Sequence, residues 1–412
     1  MSLSPTISGP VLIAGGGIGG LATACGLARQ SLPSIVLEKA AHFGEIGAGI
    51  QLGPNAFHAF DSLGIGEAAR NMAVFIDQLR LMDAISGEEI IGVPLGDAFR
   101  ARFKNPYAVV HRGDLHGVLL KACREHPLVA LRTSIEVTGY RQTPEAVFAR
   151  LADGSEVEGA ALVGADGLWS NVRAQLVGKI PPRVTGHTAY RSVIATDEMP
   201  GDLRWNAATL WAGPKCHIVH YPLSGWKLFN LVVTYHNDAP EPAAGKPVSR
   251  EEVLAGFQHV HPRPRSIIER GRDWKLWVLC DRDPIENWSE GRVTILGDAA
   301  HPTLQYMAQG ACMALEDAVC LANEMGRTPG DIAHAFERYR QRRTLRTARI
   351  QLQSRLVGDH IYHPDKGHAA LRDAMLRSMS SEDFYDSLEW LYGYTSETGV
   401  VASIARQGGE KH

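Results

Sequence analysis

"PVLIAGGGIGGLATACGLARQSLPSIVLEKA", Pro10 to Ala40, is the stretch that decides the fold class. Val11 to Ala14 is a short, continuous apolar run, the pattern of a strand buried on both faces. Gly15, Gly17 and Gly20 follow as G-x-G-x-x-G. From Leu21 to Ala28 small and apolar residues recur at helical spacing, and after Pro33 "SIVLEKA" reads as a second strand that ends in Glu38. Strand, glycine turn, helix, strand and acid, in that order, make a dinucleotide-binding unit. The turn lets backbone approach a pyrophosphate, and the helix N-terminus offers free N–H groups to its charge. Glu38 can accept from both hydroxyls of a ribose, which suits FAD or NAD and disfavours a 2′-phosphorylated ligand.

The rest of the chain is long enough to build more than this unit. It has 412 residues, 45% of them hydrophobic, which suggests about two domains. A net charge of -3, with no block of like charge, gives no reason to expect nucleic-acid binding. Cys25, Cys123, Cys216, Cys280, Cys312 and Cys320 show no CxxC or metal spacing and read as buried free thiols in a reducing compartment. The first residues lack a signal-peptide core, and no apolar run is long enough to span a bilayer, so a soluble cytoplasmic protein is expected.

Further along, "FGEIGAGIQLGPNAF" (Phe43 to Phe57) is glycine-rich, and Gln51 and Asn55 would lie near the phosphate turn. In "VVHRGDLHGVLLKAC" (Val109 to Cys123) Asp114 reads as a helix N-cap; capping does not require Arg112, which reads as a contact for a phosphate or a flavin edge. "RLADGSEVEGAALVGADGLWSNVR" (Arg150 to Arg173) reads as a hairpin turned at Asp153-Gly154, a strand, and a second glycine turn at Asp166-Gly167. From about Pro181 to Trp288 short alternating runs suggest an antiparallel sheet. Within it, the period of a strand puts His217, Val219 and Tyr221 of "CHIVHYPL" on one face and Ile218 and His220 on the other. "GRVTILGDAAHP" then returns to the buried-strand pattern, so the first domain is discontinuous. Asp331 to about Gln353 reads as a long helix with a basic stripe, a solvated or domain-bridging face. The expected fold class is α/β (α+β mixed). A Rossmann-like nucleotide domain (1–75, 105–180, 290–330) is interleaved with a sheet domain for substrate (76–104, 181–289), and 331–412 forms a helical region.

Three motifs, "GGGIGG" with Glu38, "GADGLWSNVR", and "LGDAAHP" followed by "GACMALEDA", occur in this order. Together they resemble the single-component flavin-dependent aromatic hydroxylases, which have the fold of 4-hydroxybenzoate hydroxylase. The resemblance covers about Val11 to Tyr394. It implies FAD at Gly15, Gly17, Gly20 and Glu38 for the ADP half. Arg112 would sit by the pyrophosphate, and Asp166 with Gly167 would be linked to both FAD and the nicotinamide cofactor. Asp298 would bond the ribityl chain. Gln51 belongs to the same expected site. Gly310 and Ala311 open a helix whose N–H groups suit the N1–C2=O edge of a reduced flavin.

A finer resemblance is carried by "CHIVHYPL", "DPIENW", "HPTLQYMAQGACMALEDA" and the terminal "WLYGY". It points to the branch that hydroxylates 3-hydroxybenzoate para to its hydroxyl, with His217, Tyr221 and Gln305 as the polar residues at the substrate. Thr303 and Gln305 stand where prolines are common in the wider family. The resemblance implies NADH, with NADPH less favoured, and O2, which would react with the reduced flavin to give a C4a-hydroperoxide. A phenolate ring attacks oxygen better than a phenol, so a base is needed, and His217 is the candidate by its ordinary pKa. Tyr221 and Gln305 would complete a relay or orient the ring, and Gln305 with Tyr306 would lie at the boundary of flavin and substrate. Branches acting on salicylate or 6-hydroxynicotinate share the nucleotide motifs, as would an NADH oxidase that releases peroxide. A homodimer is the default assembly.

Overall fold

The computed structural model describes residues 7–44, 49–328 and 330–395. Residues 45–48 of the glycine-rich segment and 396–412 of the expected helical region lie outside the described residues. Val11–Ala14 is the strand expected, fully buried, and pairs in parallel with Ser34–Leu37 on one side and Ala161–Gly164 on the other. Val129–Arg132 and Val293–Ile295 extend this parallel sheet, and the short Ser289–Glu290 adds one antiparallel edge. Helix Ile18–Arg29 follows the glycine turn and packs against helix Gly310–Arg327. Three distant segments therefore end their strands at one edge of one sheet, where ligands of open α/β sheets sit.

The second large sheet has eight strands, in the order Ala244–Pro247, Lys275–Asp281, Arg183–Ala195, Leu228–His236, Cys216–Leu223, Ala207–Gly213, Gln78–Asp83, Glu89–Pro94. Its central strands are antiparallel, as their alternation and short turns suggest. One pair departs from the expectation: Gln78–Asp83 runs parallel to Ala207–Gly213. That strand comes from a segment far back in the chain, so no hairpin fixes its direction.

Helix Ile332–Val357 begins at Asp331, whose carboxylate accepts from His334 N–H at 3.1 Å. Its buried residues, Ile332, Ala335, Phe336, Tyr339, Arg343, Thr347, Ile350, Gln351 and Ser354, recur at helical spacing and form one stripe. The first half of the stripe is apolar and the second half, Ile350 apart, is polar. Gln351 donates to the carbonyls of Arg282 and Pro302, and Ser354 to that of Leu304, so the helix props the segment after Pro302. The basic stripe is a bridging face in part: Arg355 reaches Asp281 and Asp283 at the end of a strand of the large sheet. After Val357 a π turn, Gly358–Tyr362, brings Tyr362 and His363 back toward that sheet. The terminal aromatics Tyr385 and Tyr392 pack edge-on against Phe99 and Phe103.

One cap differs from the sequence reading. The helix expected to start at Asp114 begins at Arg112, because the His111 imidazole accepts from Gly113 N–H at 3.2 Å. Asp114 instead sits in the first turn, where its charge suits the helix dipole. All six cysteines are free, and Cys25 and Cys123 bring their sulfurs to 3.5 Å. No helix among the described residues is long and apolar enough to cross a membrane.

Candidate active site

A cavity of about 520 Å³ lies between the edge of the parallel sheet and one face of the eight-stranded sheet. Its nucleotide end is built by the glycine turn. Gly15 has φ +105°, and a Cβ there would stand 2.4 Å from the Ala165 carbonyl oxygen. Only glycine lets the first strand's turn pass so close to the second. Glu38 closes this end: its carboxylate accepts from Gly16 N–H at 2.7 Å and Ala40 N–H at 2.8 Å, which fixes it while leaving lone pairs for a diol. Gly20 does not line the cavity. A Cβ on it would meet the Gly15 carbonyl oxygen at 2.0 Å, so its part is to let the turn close on the helix.

Further in, Gln51, Arg112, Asp166, Asp298, Gly310 and Ala311 line the same cavity as Gly15, Gly17 and Glu38. Asp166 holds the start of the next helix through Oδ2, which accepts from Asn171 N–H at 2.9 Å. Its Oδ1 is buried without a partner, and burial raises its pKa. A buried carboxylate oxygen left open at the mouth of a glycine turn fits a ligand that brings its own donors, such as a polyol chain. Helix Gly310–Arg327 aims its N-terminus at the cavity, and Asp298 lies beside that terminus. Glycine cradle, diol acceptor, unpaired Asp166 oxygen and helix N-terminus together fit a flavin dinucleotide. Asn55 proves to stand behind the site: it donates to Gln309 at 2.9 Å and to Glu316 at 2.7 Å.

Behind the Asp298 loop is a buried ionic knot. Arg343 bonds Asp317 and Glu316, each at 2.6 Å, and Arg346 bonds both oxygens of Glu316. Asp317 also accepts from Gly297 N–H at 3.0 Å and meets His301 Nε2 at 2.5 Å. Burial raises the Asp317 pKa, but His301 and Arg343 outweigh it and hold the carboxyl at about 2. Both ends of the loop before Pro302 are thus anchored to one charged residue.

At the other end of the cavity the strand register sets the side chains in rows. Ala189, Thr234 and His217 are cross-strand neighbours, as are Arg191, Val232 and Val219. Alternation turns His217, Val219 and Tyr221 into the cavity together, as their spacing implies. Gln305, on the loop, donates through Nε2 to Thr234 Oγ1 at 2.9 Å and stands 3.4 Å from His217 Nε2. Its Oε1 accepts from Arg191 at 3.3 Å. Tyr306 turns away instead, placing its hydroxyl 2.5 Å from His187 Nδ1. The boundary therefore belongs to Gln305 and not to its neighbour.

Burial, then the neighbouring His363 and His187, hold the His217 pKa well below its ordinary value. His217 is neutral at pH 7: Nε2 faces the cavity and Nδ1 meets His363 Nε2 at 2.8 Å. Burial pushes the Tyr221 pKa up, so it stays a donor.

Three residues at this end were not singled out in the sequence. Arg191 lines the cavity, its Nε is buried without a partner, and no carboxylate among the described residues pairs with it. Strand parity puts it on one face with Ala189 and His187, but only the pairing with Val232 shows that this residue meets the cavity. Tyr362 and His363 carry no such signal.

A sequence profile described as FAD binding domain matches residues 8–351. The chain is 56% identical over 383 residues to 3-hydroxybenzoate 6-hydroxylase 1 of Aquipseudomonas alcaligenes, covering 93% of this chain and 97% of that one. It is 49% identical over 391 residues to 3-hydroxybenzoate 6-hydroxylase of Klebsiella oxytoca, covering 95% and 98%. Among solved structures, Klebsiella pneumoniae HpxO complexed with FAD and uric acid superposes with a TM-score of 0.82 at 25% identity, covering 93% and 97%.

Proposed function

Since the chain belongs to the FAD-dependent aromatic hydroxylases, we propose that it hydroxylates 3-hydroxybenzoate at the carbon para to its hydroxyl. The product is 2,5-dihydroxybenzoate, and NADH and O2 are the co-substrates. The observation that carries this reading is Arg191, a half-buried cation whose Nε is buried without a partner and which no carboxylate among the described residues pairs with, set across Gln305 from His217. The relatives named above support the substrate.

Bound FAD supplies electron transfer from the nicotinamide and activation of oxygen. Glu38 takes the adenosine ribose, and the Gly15–Gly20 turn with Arg112 takes the pyrophosphate. Gln51, Asp166 and Asp298 hold the remainder, with Gly310 and Ala311 presenting N–H groups to the flavin ring. Arg191 pairs with the substrate carboxylate. Val219, Val232 and Leu279 press on the ring and exclude water. His217 Nε2 accepts the proton of the ring hydroxyl, and Gln305 and Tyr221 orient it. Charge left on that oxygen enriches the para carbon, which lies beside the carboxylate-bearing carbon.

The test is direct. Purified protein should release FAD, and with NADH, O2 and a panel of hydroxybenzoates it should form 2,5-dihydroxybenzoate from the 3-hydroxy isomer. NADH loss that yields only peroxide with every ring acid would sink the hydroxylase reading.

A further inference from the structure

Phenolate formation as proposed sets free a proton in a cavity whose substrate end is walled by Val219, Val232 and Leu279. Behind His217 stands a cluster that neither the nucleotide nor the substrate uses. His217 Nδ1 meets His363 Nε2 at 2.8 Å. The His363 ring stands edge-on to His187, with centroids 5.0 Å apart, and His187 lies 4.3 Å from His236. His236 Nε2 pairs with Asp238 at 3.2 Å, with side chains 34% and 84% exposed. The file of imidazoles thus begins at the cavity and ends in water. Tyr306 fixes His187 through its hydroxyl, and Tyr362 stands edge-on to His217 at 4.9 Å. His363 Nδ1 is buried without a partner.

We propose that His363 is the positioning residue of His217 and receives its proton, and that His187 and His236 pass that proton to solvent at Asp238. The inference rests on the hydroxylase reading. The phenol O–H breaks as N–H forms at His217 Nε2. The Nδ1–H of His217 breaks as N–H forms at His363 Nε2, and one proton departs from His363 Nδ1. No electrons move. Beyond His363 the rings lie in contact, at centroid separations of 5.0 and 4.3 Å, and the proton crosses these two steps as the imidazoles turn. Facing these groups, Arg183 opposes a positive His187 and Asp238 favours it, while Asp359 and Asp281 act on Tyr306. Burial lowers His363 to about 3 and His187 to about 4, so neither holds an extra proton at rest.

The experiment uses FAD-loaded protein and measures 2,5-dihydroxybenzoate formation. His363→Ala should be slower by roughly 100-fold, the usual scale of an acid–base contribution, with KM for the ring acid little changed. Added imidazole should restore much of the rate. His363→Gln keeps an acceptor for His217 Nδ1 but cannot carry a proton, so it should stay slow; a wild-type rate in that variant would falsify the relay. If both variants fail to retain FAD, His236→Gln tests the surface end. It should be slow in dilute buffer and recover in concentrated imidazole, and a rate equal to wild type in dilute buffer overturns the path. A wild-type protein that makes no product from any ring acid overturns the hydroxylase reading and the relay together. An active wild type beside an equally active His363→Gln overturns the relay alone.

Discussion

Replacing Arg191 with Met should weaken substrate binding and strengthen the free protein, two effects of opposite sign from one change. In the free protein the guanidinium lines the cavity with Nε unpartnered and only a 3.3 Å bond to Gln305. Burial has already lowered its pKa, the mark of a cation held away from water without an anion. Exchanging a fully buried charged group for an apolar one of similar volume stabilises by about 1–4 kcal/mol, and Arg191, half-buried at the cavity wall, falls at the low end of that range. The substrate carboxylate supplies the missing anion, and removing one member of such a pair costs about 2–5 kcal/mol of binding. That range corresponds to a Kd raised about 30-fold to a few thousand-fold. Urea unfolding gives the first quantity, and titration of the flavin absorption band with 3-hydroxybenzoate gives the second. The amide of the same acid, which lacks the charge, should bind poorly to wild type and lose nothing further in Arg191→Met. A Kd within threefold of wild type, or a lower urea midpoint for the free variant, would refute the assignment of Arg191.

Other perturbations have separate readouts. Asp317→Asn takes one carboxylate from the knot of Arg343, His301 and Gly297 N–H and should cost about 3–5 kcal/mol; a loss under about 1 kcal/mol in urea unfolding contradicts that account of the loop. Glu38→Ala removes the acceptor of Gly16 and Ala40 N–H and should lower FAD affinity with little change in the hydroxylation rate of the saturated enzyme; unchanged FAD retention on dilution would be the contrary result. Acid should destabilise the fold in two stages. His187 and His363 have folded pKa values of about 4 and about 3, below the unfolded 6.5, so the unfolded chain binds more protons and stability falls as pH drops from 6.5 through 4. The loss is about 2 kcal/mol per imidazole by pH 5. Asp317 titrates lower: its stabilisation is present above the unfolded carboxyl value of 3.8 and is lost as pH falls through about 2. A urea midpoint that stays flat from pH 7.5 to 5 would contradict the first stage.

The nucleotide half of the molecule was legible because its chemistry is local. The glycines, the helix and Glu38 lie within one strand–turn–helix–strand unit, and the backbone itself is the binding surface. Strand parity likewise revealed His217 and Tyr221, since alternation needs only neighbours along one strand. Arg191 obeys the same parity, but nothing in its own strand says which face meets the cavity; that is decided by pairing with Val232. Asp114 was misread because a cap depends on which side chain reaches the first free N–H, and the His111 imidazole arrives first. Tyr306 and Gln305 are adjacent in sequence, yet a short 3₁₀ turn sends them to different compartments. Tyr362 and His363 were out of reach altogether, because a π turn at the end of a 26-residue helix sets where they fall.

That π turn gives the order of synthesis a meaning. A nascent chain that stops at Val357 already holds the glycine turn, Glu38, Asp298 and the helix that aims at the flavin. It lacks Tyr362 and His363, which close the substrate end from behind. The parts that gather electrons are thus made before the parts that complete the pocket, and only the finished polypeptide joins the two.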